Sequence, residues 1–161
     1  MVETRVRAPL FDRLVDREPH VPAEPRPLRT LDPQGLRESV RRELERMLNT
    51  RSPLPVDRLA ERPELTVLEY GIPDLSAFSA GNDEDQVRLA AIVTRAVSAY
   101  EPRLRQVKVA VLGLQDERRS LSLRIDGLLT IDEVAEPVSF PAVVGLRTGT
   151  VAIPEVQPVG D

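Results

Sequence analysis

Leu36, Val40, Leu44, Met47 and Leu48 recur at three- and four-residue intervals, the spacing that lines one face of an α-helix. Asp32 followed by Pro33 supplies an N-cap and a proline where its missing N–H costs nothing, so the helix is predicted to start there. Glu38 with Arg42 and Arg41 with Glu45 stand one turn apart on the polar side, and Asn49 to Pro55, with Ser52-Pro53, closes the element. A second helix is capped by Asn82 or Asp83 and carries Leu89, Ile92, Val93, Ala96, Val97 and Tyr100 on one face. Pro102 cannot continue it, so its hydrogen bonding is expected to end near Tyr100. Between the helices, Leu65 to Leu68 and then Tyr70 to Leu75 suggest a short extended stretch that turns through Gly71 and Pro73.

The period then changes from near four to two. Val107, Val109 and Val111 alternate with more polar neighbours, as do Leu121, Leu123 and Ile125 after the charged turn Asp116-Glu117-Arg118-Arg119, which predicts an antiparallel hairpin. Two more strands are expected at Val138 to Leu146 and Thr150 to Ile153, with Gly149 as the turn between them. Pro141 marks the first of these as an edge or irregular strand. Helices followed by strands give an α+β fold: two main helices packed on a small, mainly antiparallel β-sheet, with an extended Pro-rich N-terminal arm. Pro9, Pro19, Pro22, Pro25 and Pro27 assign residues 1–31 to that arm, 32–155 to the folded domain and 156–161 to a flexible C-terminal tail. Within the arm, Leu10, Phe11 and Leu14 form an apolar cluster able to dock as a single helical turn.

Composition narrows the chemistry. The 161 residues carry a net charge of -4, too acidic for a general binder of nucleic acid or anionic membranes, and no apolar run is long enough to span a bilayer. Aromatics at 3% leave little surface for stacking bases or sugars. The absence of cysteine removes disulfides, thiolate metal sites and thiol nucleophiles, and His20 is the sole imidazole, so no metal and no cofactor is expected. No glycine-rich phosphate cradle is present. A cytoplasmic protein whose partner is another protein or a small molecule fits these numbers. Glu69, Asp74, Glu101 and Asp126 are the candidates for a glycosidase pair, but carboxylates at helix ends and turns are usually caps or ion-pair members. No catalytic residue is assigned.

The turn Glu101-Pro102-Arg103-Leu104 is where helix passes to strand, and two readings of it stand. It is a local helix stop whose solvated charges are worth under about 1 kcal/mol, or a rigid corner from which two opposite charges project as a docking epitope.

Five stretches in order resemble the TssE family, the type VI secretion baseplate subunit related to the small wedge protein of contractile phage tails. They are Leu10-Phe11-Asp12-Arg13-Leu14, Arg42 to Arg51, Val67 to Leu75, Glu101-Pro102-Arg103-Leu104, and Pro137-Val138-Ser139-Phe140 with Leu146 to Val151. The resemblance implies a wedge component that joins baseplate proteins of the TssF, TssG and TssK types and helps contractile sheath proteins begin to polymerise. It further implies that Glu101, Pro102, Arg103 and Leu104 contact a partner, and that the edge formed by residues 138–153 faces the sheath by strand addition. The chain departs from the family at Glu69, where a neutral polar residue is common, and in the arm around residues 17–31. A lysozyme-like label attached to the family gives the alternative, a peptidoglycan glycosidase; a wedge subunit of another contractile machine is the third reading.

Overall fold

The computed structural model describes residues 6–15, 19, 20, 22, 30–115, 120–131 and 134–155. Most of the arm, the hairpin turn at 116–119 and the tail at 156–161 therefore lie outside the described residues. In chain order the elements are β1 (Val6–Arg7), α1 (Leu10–Leu14), β2 (Thr30–Leu31), α2 (Pro33–Leu48), α3 (Val56–Ala60), a 3-10 turn (Val67–Glu69), α4 (Asp83–Tyr100), β3 (Leu104–Gln115), β4 (Ser120–Ile131), β5 (Val134–Gly145) and β6 (Thr150–Ala152). The fold is α+β, as the change of period requires.

The two long helices begin on the caps that the sequence offers. The Asp32 carboxylate accepts from the Gly35 amide at 2.7 Å with Pro33 in the first turn, and the Asn82 side chain accepts from the Glu84 amide at 2.9 Å. The predicted stripe of α2 is the buried one, and α4 buries Leu89, Val93, Ala96 and Val97. Against them lies a four-stranded antiparallel sheet in the order β3-β4-β5-β6. β4 and β5 pair without a break from Ser120 opposite Gly145 to Ile131 opposite Val134, so Leu121, Leu123 and Ile125 face the core beside Val144, Ala142 and Phe140. Hydrophobic burial between the two helices and the sheet is the main source of stability.

The polar end of α2 is stitched to β6. Asn49 donates to the Val151 carbonyl and accepts from its amide at 2.7 and 2.9 Å, while Glu45 accepts from the Ile153 amide at 3.1 Å. Arg41 lies between Glu38 and Glu45 and donates to the Ile153 carbonyl at 2.6 Å.

Several expectations change. Residues 67–69 do not extend: Thr66 and Glu69 form a capping box, with the Glu69 carboxylate accepting from the Thr66 amide and hydroxyl at 2.9 and 2.7 Å. This gives the unexpected Glu69 a structural role and leaves Val67 and Leu68 84% and 76% exposed. Helix α3 has only one buried residue, Leu59, too little to register as a periodic stripe. Of the two readings of Pro141, edge or irregular strand, the edge holds and the irregularity does not: pairing with β4 is unbroken there. Only the last three residues of β5 also pair with β6, so the outer side of residues 134–142 is uncovered by β6, and a proline is tolerated there. Within the arm, β1 pairs with β2, and Ala8 and Leu31 join the main core.

Candidate docking site

Helix α4 stops at Tyr100, and the chain turns through Glu101, Pro102 and Arg103 into β3. The Leu104 amide closes the turn on the Glu101 carbonyl at 3.1 Å, and the Thr130 amide of β4 donates to the Arg103 carbonyl at 3.2 Å. Pro102 is exposed, as a residue that cannot donate can afford to be. The charges on either side do not project into solvent as expected. Glu101 is 4% exposed, and the Arg103 guanidinium grips it through two bonds, Nε to Oε1 at 2.7 Å and Nη2 to Oε2 at 2.5 Å. The Arg103 amide also donates to Oε1 at 3.1 Å. Leu104 is buried at 4%, so it anchors the strand in the core and offers nothing to a partner's surface.

Arg103 has a further contact that sequence reasoning missed. Its Nη1 donates to the Ser39 hydroxyl of α2 at 2.9 Å, and Ser39 in turn donates to the buried carboxylate of Asp12 on α1. The other Asp12 oxygen accepts from Arg42, which reaches Glu38, which is held by Arg41. One alternating relay of charges and a hydroxyl thus runs from the end of α4, across α2, to the arm. The only sequence signals for it are a serine inside the apolar stripe of α2 and an aspartate inside the apolar cluster of the arm. No buried side-chain polar atom lacks a partner among the described residues, as buried polar groups require.

The relay has a geometric result. It holds α1 so that Asp12 points inward while Leu10, Phe11 and Leu14 are 64%, 61% and 69% exposed. The guanidinium of Arg46 lies 5.3 Å from the centre of the Phe11 ring. Between α1 and the turn opens a groove of about 270 Å³. Pro9, Leu10 and Phe11 form one wall, Leu44 and Met47 of α2 the floor with Glu43 beside them, and Glu101, Pro102 and Arg103 the far wall. Tyr70 and Tyr100 close one end, their rings edge to face at 5.1 Å, and the Tyr100 hydroxyl donates to the Thr66 carbonyl at 2.9 Å. The two clusters singled out from sequence, Leu10 with Phe11 and Glu101 with Pro102 and Arg103, therefore share one groove; Leu14 continues the apolar surface outside it.

The four carboxylates considered for catalysis are already engaged. Asp74 accepts from the amide and hydroxyl of Ser76, which hold its carboxyl below the usual range; Asp126 is held low first by the Ser139 hydroxyl and then by Arg124. Thr66 does the same for Glu69, and Glu101 is gripped by Arg103. For Asp74, Asp126 and Glu69 this is the opposite of what a glycosidase acid needs, a carboxyl kept protonated by its surroundings. His20 is exposed. No group of three or more possible metal ligands occurs among the described residues.

The family model described as "Baseplate wedge protein gp25" matches residues 34–134, more than half of the chain and both long helices. This chain belongs to that baseplate wedge family. Comparison with curated proteins gives no match. Among solved structures, the wedge protein is similar to a chain of "The baseplate complex from the type VI secretion system", with 18% identity over 68% of this chain and 93% of that one, at a TM-score of 0.46. Its family is one of structural baseplate components, and no helix among the described residues is long and apolar enough to cross a membrane.

Proposed function

We propose that the chain is the TssE-type subunit of a type VI secretion baseplate, a non-enzymatic cytoplasmic protein that joins the larger wedge proteins and helps the contractile sheath to nucleate. The observation that carries the reading is the family match across residues 34–134, which makes a baseplate wedge role the starting point. The five stretches resembling TssE favour the type VI machine over a phage tail or other injection particle. On this reading residues 1–31 are an arm that folds back on a wedge domain of residues 32–155. The partner surface is the groove with its rim, formed by Leu10, Phe11 and Leu14 and by Glu101, Pro102 and Arg103, with Leu104 fixing the turn from beneath. Its partners are the TssF, TssG and TssK types and the sheath proteins.

The test is reconstitution. Deleting the gene from a bacterium that assembles a fluorescently tagged sheath should abolish sheath foci, and expression of this chain should restore them. A variant in which Phe11 and Leu14 are both serine should fold yet fail to restore. Full sheath assembly by that variant would refute the docking role of the groove, and normal sheath foci without the gene would refute the baseplate role. A purified chain that releases soluble fragments from peptidoglycan would revive the glycosidase alternative.

A further inference from the structure

Just past the end of β6 the sheet meets a stop. Proline cannot donate, so in the unbroken ladder between β4 and β5 the backbone groups of Pro137 and Pro141 face away from β4, and with them those of Ala135, Ser139, Val143 and Gly145. Val143 and Gly145 are covered by Ala152 and Thr150 of β6. One step further in the same register, the residue that would face Pro141 is Pro154, a pair without a single N–H. Read along the sequence, that register would set Pro158 opposite Pro137, a second such pair. Resting on the reading that the sheath nucleates on this chain, we propose that these prolines stop the chain from lengthening β6 over its own sheet and so hold residues 135–141 of β5 open for an extended segment of another protein.

β6 shows what the open length accepts. It lies between β5 on one side and a row of α2 side chains on the other, where Asn49 bonds both backbone groups of Val151, and Glu45 and Arg41 bond those of Ile153. Those side chains stand about one helical turn apart, close to the rise of two strand residues, so helix and strand stay in step. The channel continues past Ile153 as a slot of about 630 Å³, with Gln34, Arg37 and Glu38 of α2 on one wall, residues 137–140 of β5 on the other, and Glu155 also lining it. The Arg37–Glu136 pair reaches across from α2 to β5, but both side chains are well exposed and such pairs give way readily. An extended segment in the slot can donate to the carbonyls of Pro137 and Pro141, bond Ser139 in both directions and turn its other backbone groups to α2, as β6 does. The β5 edge of a second copy is a poor occupant, because its prolines leave it only the Ala135 and Ser139 amides to give.

Hydrogen exchange of the full chain reads the edge directly. The Ser139 amide should exchange freely, and the Phe140 amide, which faces β4, slowly. Pro154→Val combined with Pro158→Val should let β6 grow along β5 and slow Ser139 by about tenfold. Ser139 protected already in the dilute parent chain would place the chain's own tail in the slot, and protection that grows with concentration would place a second copy there. Either result, or a valine variant with Ser139 unchanged, overturns the stop. The second arm uses the sheath-foci assay. Ser139→Pro removes the one donor between the two prolines and leaves the β4 ladder intact, so the folded variant should lose the foci. Ser139→Ala, which removes only the hydroxyl bonded to Asp126, should keep them. The valine variant should lose them too. Foci that survive Ser139→Pro, or that survive the valine variant while Ser139 is protected, would overturn the open edge as a docking site. Normal foci without the gene would overturn the baseplate reading and with it the docking role, while the stop itself is judged by exchange.

Discussion

Glu101 and Arg103 show how far a charged pair's surroundings decide its worth. In solvent such a pair contributes under about 1 kcal/mol. Here one member is buried and held by two parallel bonds, so removing its partner strands a charge. Arg103→Gln should cost about 3 kcal/mol in urea unfolding. Arg103→Lys should recover only part of that, because an ammonium cannot span both Glu101 oxygens and reach Ser39 as well. A second site depends on backbone alone. Gly71 has φ of +103°, and a Cβ there would sit 2.3 Å from the Thr50 carbonyl oxygen, beside the bonds that join Ile72 to Thr50 and Ser52. Gly71→Ala should lower stability by more than about 1 kcal/mol, read as a shift in the urea midpoint with unchanged slope. The turn at Gly71 was legible in the sequence because glycine and proline punctuate it. The wider setting of Arg103 was not, since Ser39 on α2, and Asp12 on α1 beyond it, lie far along the chain.

At the level of elements, what sequence revealed was periodicity. The stripe of α2, the face of α4 and the alternation of β4 are each long enough for burial to leave a pattern, and all three are found as expected. Helix α3 and the 3-10 turn depend on one buried leucine and one capping box, and at that length local hydrogen bonds outweigh pattern. Leu44→Ala, in the middle of the α2 stripe at 1% exposure, should cost about 2–5 kcal/mol in thermal or chemical unfolding. The outer face of the same helix sets an acid limit. The hydrogen bond from Arg41, aided by the charges of Arg41 and Arg42, holds Glu38 below its ordinary 4.5. The unfolded chain therefore takes up that proton more readily, and the stabilisation is complete above pH 4.5 and lost as the pH falls through the lowered folded-state value. Melting temperature should be flat down to about pH 5 and then decline. Glu38→Gln should make the acid limb shallower, and an equally steep decline in that variant would assign it to other carboxylates such as Asp126.

The whole molecule joins a core built by α2, α4 and the sheet to an arm that is fastened to it by Ala8 and Leu31 in that core and by the polar contacts of Asp12. Its α+β order was readable from the switch of period, and its family from five stretches in register, because both are written in contiguous residues. The relay that unites Asp12, Ser39 and Arg103 was not, because three separate elements must fold before it exists. The sheet also has a border that the sequence gave little warning of. β3 is the outermost strand and runs for twelve residues. Its pairing with β4 shifts register between Arg105 and Lys108, where Gln106 takes φ of 53°, and again between Val111 and Gly113, where Gly113 takes 146°. The first shift passes the inward role from Leu104 to Val107. It also means that the free side of β3 offers no long, straight row of donors and acceptors. A border broken in two places is a poor template for the edge-to-edge pairing by which copies of one chain stack into a fibre.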